Sequence, residues 1–308
     1  GRMVEREKRL SFTFRQALAL GEAPKGALSE SELEKEHVFR VYDHIAQHWH
    51  HTRGRRKVHW GRVKEFLESL APGSLLADVG SGDGKYLDLA ENVFAIGGDR
   101  SLRLLEVSRQ PHHELFCSDA VKLPLRDGVF DAAICIAVLH HLASVHRRVA
   151  VLKELLRVVR PGGRIMVQAW AMEQEAGSKR TFHEQDVMVP WRLNKKYVDE
   201  DVATGGTTGE RSSGEGQEND DESGVMKPPQ HVVEERGLLT YQRYCHVYKR
   251  GELENLCRSV PGCRLIDCGY DRSNWYVELE CVEEGRLLES DVSEPMTFPH
   301  FIPRTLKS

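Results

Sequence analysis

The stretch Leu75-Leu76-Ala77-Asp78-Val79-Gly80-Ser81-Gly82-Asp83-Gly84 constrains this chain more than any other. Its apolar run reads as a buried strand, and three glycines at alternate positions follow it directly. Such a turn lets the backbone pass close beneath a ligand with no side chains in the way. A second apolar run, Val93 to Gly98, ends in Asp99, nineteen residues beyond Gly80. A carboxylate at that offset can accept both hydroxyls of a ribose. Together the two runs point to an α/β sheet that binds a nucleoside-containing cofactor.

The rest of the chain fits that sheet. Ser31-Glu32-Leu33-Glu34 has the form of a capping box, and apolar residues from Val38 to Trp49 follow at helical spacing, so a helix is expected from about Glu32 to His48. A second helix is expected over Trp60 to Leu70. Further helices are expected over Lys85 to Ala90, Leu102 to Ser108, His146 to Val159 and Gly251 to Ser259. Strands are expected at Glu114 to Cys117, at Val129 to Val138 (broken by Asp131), and at Arg164 to Trp170. Cys263 to Tyr270 and Asn274 to Cys281, separated by Asp271-Arg272-Ser273, read as a hairpin closing the sheet edge. The strand–helix alternation argues for a mostly parallel, doubly wound sheet.

Residues 199 to 229 are rich in Gly, Ser, Thr, Glu and Asp and read as a disordered acidic insertion. One domain is therefore expected over 31–198 and 230–282, with a weakly ordered lead-in at 1–30 and a tail at 283–308. Between Asp199 and Lys227 nine acids face two bases, a local charge of −7 in a chain of −4, which leaves +3 elsewhere. The overall charge thus does not exclude an RNA partner. Seven scattered cysteines with no CxxC pair fit a reducing compartment. No run is apolar enough to span a bilayer, so cytoplasm or nucleus is the expected location.

The nature of the cofactor follows from the glycine spacing. A dinucleotide turn needs G-x-G-x-x-G, but here the third glycine is Gly84 and position 85 is Lys. The spacing instead resembles the Rossmann-like class I S-adenosylmethionine-dependent methyltransferases, whose fold is a seven-stranded, mostly parallel sheet with a closing antiparallel hairpin. Asp119, after the third strand, matches the acid that this class sets on the adenine amino group. Arg160-Pro161-Gly162-Gly163 matches its turn before the fifth strand. Taken singly, Asp99 reads equally well as a helix cap, Asp119 as a turn residue and Pro-Gly-Gly as a helix stop. By the resemblance, S-adenosyl-L-methionine would be held by Asp78, Gly80, Ser81, Gly82, Gly84, Asp99, Arg100, Asp119, Ala120 and Ile136.

A narrower resemblance rests on Ile136-Ala137-Val138-Leu139-His140-His141, Arg147-Arg148-Val149, Ala169-Trp170-Ala171-Met172-Glu173-Gln174 and Gln185-Asp186-Val187-Met188-Val189-Pro190-Trp191. Arg243-Tyr244-Cys245-His246-Val247-Tyr248 and Asp271-Arg272-Ser273-Asn274-Trp275 extend it. These segments resemble the eukaryotic tRNA methyltransferases that esterify 5-carboxymethyluridine at the wobble position, and the methyltransferase domain of the AlkB-homologue tRNA methyltransferase. Ser81 stands where the family often has Cys, and Cys245 where it often has Tyr.

The resemblance implies a carboxylate nucleophile, already ionised near neutral pH, so no general base is needed. Positioning can then supply ~7–11 kcal/mol of barrier lowering. An arginine is suited to clamp the spare carboxylate oxygen. Arg53 is the first choice, with Arg243 and Arg272 as competitors; alternatively Arg53 belongs to a solvated basic run with Arg55, Arg56 and Lys57. His140 is expected to touch the substrate and Trp170 to stack on an unstacked base, although Trp170 could equally be core. His141, Arg243, Tyr244, His246, Tyr248, Arg272, Asn274 and Trp275 complete the expected substrate surface. The histidines at 44, 48, 50 and 51 lack a zincin pattern, and no metal ligand is assigned. Expected partners are a tRNA anticodon loop and a small zinc-binding activator protein that adds a strand beside Leu115, Phe116 and Cys117. A small-molecule methyltransferase and a catalytically silent scaffold are the rival readings.

Overall fold

A computed structural model of the chain describes residues 28–54, 59–89, 92–178, 180–194, 229, 232–235 and 237–283. The residues before 28, those at 195–228 and those beyond 283 lie outside the described residues, and with them the expected lead-in, nearly all of the acidic insertion and the tail. Ten strands are described: β1 (Leu75–Val79), β2 (Phe94–Asp99), β3 (Glu114–Cys117), β4 (Phe130–Ile136), β5 (Val159–Trp170), β6 (Asp186–Asn194), β7 (Val233–Glu235), β8 (Leu238–His246), β9 (Cys263–Tyr270) and β10 (Asn274–Cys281).

Seven of them form one sheet in the order β3-β2-β1-β4-β5-β10-β9. The first five pair in parallel, and β10 runs antiparallel to both β5 and β9. This is the expected doubly wound sheet with its closing hairpin, and the two hairpin strands have the expected limits.

The central strands β1 and β4 are mainly apolar because both of their faces are covered. Leu76, Ala132, Ile134 and Met166 pack on one face with Val63 and Phe66 of the helix Gly61–Glu68. Ala77, Val79, Ala133, Cys135 and Val167 pack on the other with Leu152 and Leu155 of the helix Val145–Val158. The chain reverses winding direction at β1, which has β2 on one side and β4 on the other. A crevice opens at the carboxyl ends of strands at such a point.

Five local expectations are corrected. No helix follows the glycine turn: residues 82–89 form successive turns, with Gly84, Leu87 and Leu89 N–H groups each bonded to the carbonyl three residues back. The capping box is built from Ser29 and Glu32, not Ser31 and Glu34. Glu34 is fully buried, and its carboxylate accepts instead from the Ala143 N–H at 2.7 Å. Asp131 does not break β4; it accepts from the Leu75 N–H at 2.8 Å and so ties β4 to the start of β1. The Pro161-Gly162-Gly163 turn lies within β5, where the register against β4 shifts. A second, three-stranded antiparallel sheet, β6-β8-β7, was not expected.

The N-terminal helical segment runs through an α-helix (Glu30–Glu34), a wide π turn (Lys35–Phe39), a longer α-helix (Arg40–Trp49) and a second π turn (His50–Gly54). Its apolar face, Val41 and Ile45, packs on Trp191, Leu193 and Tyr241 of the small sheet. That contact places the segment beside the crevice. Among the described residues no helix is long and apolar enough to cross a membrane.

Candidate active site

A cavity of about 460 Å³ fills the crevice. Its floor is the glycine turn. Gly80 adopts φ +80°, and a Cβ there would meet Val138 Cγ2 at 2.1 Å, so only glycine fits. Gly82 also has positive φ, +57°, but a Cβ would meet nothing within 4 Å, because open space lies above it. Asp99 accepts from the Gly82 N–H and the Ser101 N–H, both at 2.8 Å, which anchors the turn to the end of β2. Burial holds the Asp99 carboxyl up at about 6, against those bonds.

Asp78 is buried at the cavity's edge, and its Oδ2 has no hydrogen-bond partner among the described residues. Burial, then the nearby Asp99 and Asp83 charges, pushes its pKa up to about 8. An orphaned buried carboxylate beside an open glycine turn suits a ligand carrying both a nucleoside and a cationic group. S-Adenosylmethionine is such a ligand, and the residues present fit it. Ser81, Arg100, Asp119, Ala120 and Ile136 line the same cavity. Gly84 does not; its Cβ position faces Ser108 and His113.

Asp119 is tied back to the N-terminal segment. Arg147 donates through Nε to Glu34 at 2.8 Å and through Nη2 to Asp119 at 3.2 Å. One guanidinium thus joins the first helix to the loop after β3.

Opposite that floor, His140 stacks on Trp170 with centroids 4.8 Å apart and planes at 23°. His140 Nδ1 accepts from the Trp170 N–H at 3.4 Å. Burial, then neighbouring His141 and Arg243, drives the His140 pKa well down, so the ring is neutral with its proton on Nε2. His141 donates from Nδ1 to the Tyr244 carbonyl at 2.8 Å and accepts at Nε2 from the Tyr42 hydroxyl at 2.9 Å. Its pKa falls to about 3, chiefly through burial.

Tyr42 in turn accepts from Arg243 Nη1 at 3.1 Å. Arg243 is 1% exposed, and among the described residues no carboxylate pairs with it. Its guanidinium carbon lies 5.0–5.9 Å from the ring centres of Tyr42, Trp49, Trp170 and Trp191. Aromatic faces offset part of the cost of burying a cation, but leave its hydrogen-bonding capacity open; Arg243 Nε has no partner among the described residues. Tyr42, Trp49 and Trp170 also line the cavity, so this charge stands directly behind its wall.

The other expected substrate residues lie away from the cavity. Tyr244 donates to Asp186 at 2.6 Å, and His246 contacts Asp186 and Glu252 at 2.9 and 2.8 Å. Burial opposes the His246 charge, but the two carboxylates outweigh it and raise the pKa. Tyr248 is buried in the core with its ring beneath Arg148. Asn274 closes the β9–β10 turn by donating to the Asp271 and Arg272 carbonyls, with Arg272 exposed at φ +47°. Trp275 donates from its indole to Glu173 at 3.0 Å. Arg53 belongs to the turn His50–Gly54, with its side chain outside the described residues.

Sequence reading missed Tyr42, Trp49 and Arg180. Tyr42 and Trp49 lie seven residues apart, a spacing that marks one helical face but not what that face touches. Arg180 lines the cavity with its guanidinium 4.3 Å from the Trp170 ring centre, and no motif signals it.

Fold and cavity together define a class I S-adenosylmethionine-dependent methyltransferase domain. A family model described as a methyltransferase domain matches residues 77–167. The solved complex between the Haloferax volcanii Trm112 methyltransferase activator and a putative methyltransferase shares the fold, with TM-score 0.50 and 12% identity, covering 80% of this chain and 99% of that one. Among curated proteins, the tRNA (carboxymethyluridine(34)-5-O)-methyltransferase of Schizosaccharomyces pombe is 35% identical over 82% of this chain and 99% of its own length. The Xenopus tropicalis protein tRNA (carboxymethyluridine(34)-5-O)-methyltransferase alkbh8 is 36% identical over 83% of this chain and 42% of its own. The chain belongs to the tRNA (carboxymethyluridine(34)-5-O)-methyltransferase family. It spans about half the length of the first three curated relatives it matches, 42–52%.

Proposed function

We propose that this protein transfers a methyl group from S-adenosylmethionine to the carboxylate of 5-carboxymethyluridine at the tRNA wobble position, giving 5-methoxycarbonylmethyluridine. The observation that carries this reading is Arg243: a buried guanidinium with no carboxylate partner among the described residues, directly behind the cavity wall. A substrate that brings its own carboxylate offsets the cost of that buried charge. A substrate without one gains nothing from it.

In this reading Asp78, the glycine turn, Asp99 and Asp119 hold the cofactor, which supplies the electrophilic methyl group. Arg243 draws the carboxylate to the wall formed by His140 and Trp170. Arg53, at the end of the N-terminal segment, remains a second candidate for the same charge. Neutral His140 offers a hydrogen-bond donor without competing as a cation, and Trp170 stacks on the uracil. The carboxylate needs no base, in keeping with His140 and His141 both being held neutral.

A small activator protein would pair with β3. That strand is one of the two edges of the sheet, with Cys117 exposed and Leu115 and Phe116 half-buried. The Haloferax methyltransferase solved with Trm112 supports a partner of this kind.

The test is co-expression with such an activator, followed by nucleoside mass spectrometry of tRNA that lacks the ester. The expected result is 5-methoxycarbonylmethyluridine that depends on S-adenosylmethionine. Absence of the ester, with cofactor binding intact, would refute the proposal.

A further inference from the structure

Asp88, His112 and His113 gather three potential ligand atoms at one place outside the cofactor cavity. Asp88 lies in the turns that follow the glycine loop, and the two histidines immediately precede β3. Asp88 Oδ1 is 2.7 Å from His112 Nε2 and 2.8 Å from His113 Nε2. The three atoms all lie within 4.8 Å of one another.

The decisive feature is His113, whose side chain is only 5% exposed. Its Nδ1 is 2.8 Å from the Ser108 carbonyl oxygen, which can only accept, so Nδ1 carries a proton. That bond turns Nε2 toward Asp88 Oδ1, 2.8 Å away. The place between Nε2 and the carboxylate oxygen suits a proton or a metal ion, and His112 Nε2 converges on the same oxygen. A ring N–H held by a backbone carbonyl is also the usual support of a metal-bound histidine.

We propose that Asp88, His112 and His113 bind one divalent transition-metal ion, Zn²⁺ by ligand chemistry. Two imidazoles and one carboxylate suit Zn²⁺ and its borderline neighbours and disfavour Mg²⁺ or Ca²⁺, which prefer all-oxygen shells. Three protein ligands leave a position for water. The ion would tie the segment after the glycine loop to the segment that leads into β3. His113 Cε1 lies 3.6 Å from the position a Cβ would take on Gly84, so the brace bears on the cofactor turn. Its role is structural support of that turn, and it does not depend on the methyl acceptor.

The test uses chelator-treated full-length protein, titrated with Zn²⁺ and, for its visible spectrum, Co²⁺. Wild type is compared with His112→Ala and Asp88→Asn, and with His146→Ala as an off-site control. His112 is 68% exposed, so its removal leaves the fold intact. The expected result is one more equivalent of Zn²⁺ in wild type and the control than in the two site variants, or an affinity at least about tenfold higher. Zn²⁺ should also raise the melting temperature of wild type but not of His112→Ala. Equal stoichiometry and affinity across all four proteins would overturn the proposal. So would a melting temperature that responds to pH but not to Zn²⁺, which would assign the gap between Asp88 and His113 to a proton.

Discussion

The Tyr42 hydroxyl accepts from Arg243 Nη1 at 3.1 Å and donates to His141 Nε2 at 2.9 Å. His141 can accept because its own Nδ1 proton is held by the Tyr244 carbonyl, which fixes the tautomer. The chain of bonds therefore has one direction, and it leaves both Tyr42 lone-pair and proton capacity engaged. Arg243 is oriented by a neutral group, so its charge stays available to a ligand.

Replacing Arg243 should act on the methyl acceptor and spare the cofactor. Arg243→Lys keeps the charge but loses the planar fork, and a hydrogen bond to a charged group contributes about 1.5–3 kcal/mol. A fall of about 10- to 100-fold in kcat/KM for tRNA is expected, with cofactor affinity unchanged by calorimetry. Tyr42→Phe removes only the orienting hydroxyl and should cost about 1 kcal/mol, or roughly fivefold in kcat/KM.

The two inner glycines should respond differently to alanine. Gly80→Ala drives a Cβ into Val138 Cγ2 at 2.1 Å and should abolish cofactor binding. Gly82→Ala meets nothing within 4 Å and bears only the positive-φ strain of about 1–2 kcal/mol. Isothermal titration with S-adenosylmethionine should find no binding for the first and about 5- to 30-fold weaker binding for the second.

Asp78 should make the free protein less stable as pH rises. Its folded pKa is about 8 against an ordinary 3.8, so between those values the unfolded chain has lost a proton that the folded chain keeps. The stabilisation is fully present below about pH 4 and is lost as pH climbs to about 8. Melting curves across this window should decline for wild type and decline less for Asp78→Asn. A cationic cofactor pairs with the ionised form, so its binding near pH 7 should release close to one proton, measurable in buffers of different ionisation enthalpy.

Glu34→Ala should weaken both fold and site. The buried Ala143 N–H loses its acceptor, at about 1–3 kcal/mol, and Arg147 loses the partner that holds it against Asp119. A melting temperature lower by roughly 2–4 °C per kcal/mol is expected. A few-fold rise in the dissociation constant for S-adenosylmethionine should accompany it.

What was legible in the sequence lay within short stretches. The apolar run into Gly80, the carboxylate at Asp99 and the hairpin around Asp271-Arg272-Ser273 are local patterns, each dictated by backbone sterics or by strand burial on both faces. From them the order of elements, the sheet class and the glycine turn that floors the cavity followed. The acidic insertion hid the rest. It separates β6 from β7 and β8, so neither propensity nor periodicity announced that Asp186–Asn194 pairs with Leu238–His246.

The far wall of the cavity depends on that pairing. Once β8 lies beside β6, Arg243 comes within reach of Tyr42, two hundred and one residues earlier, and of Trp49, Trp170 and Trp191. The same pairing turns Tyr244 and His246 toward Asp186, where sequence motifs suggested a substrate surface. By itself the sequence determined the sheet, the glycine turn and the acids that suit a nucleoside. Only the tertiary structure decided that Arg243 is buried with no carboxylate partner among the described residues, because the cost of an unpaired cation is a property of its surroundings and not of its neighbours along the chain.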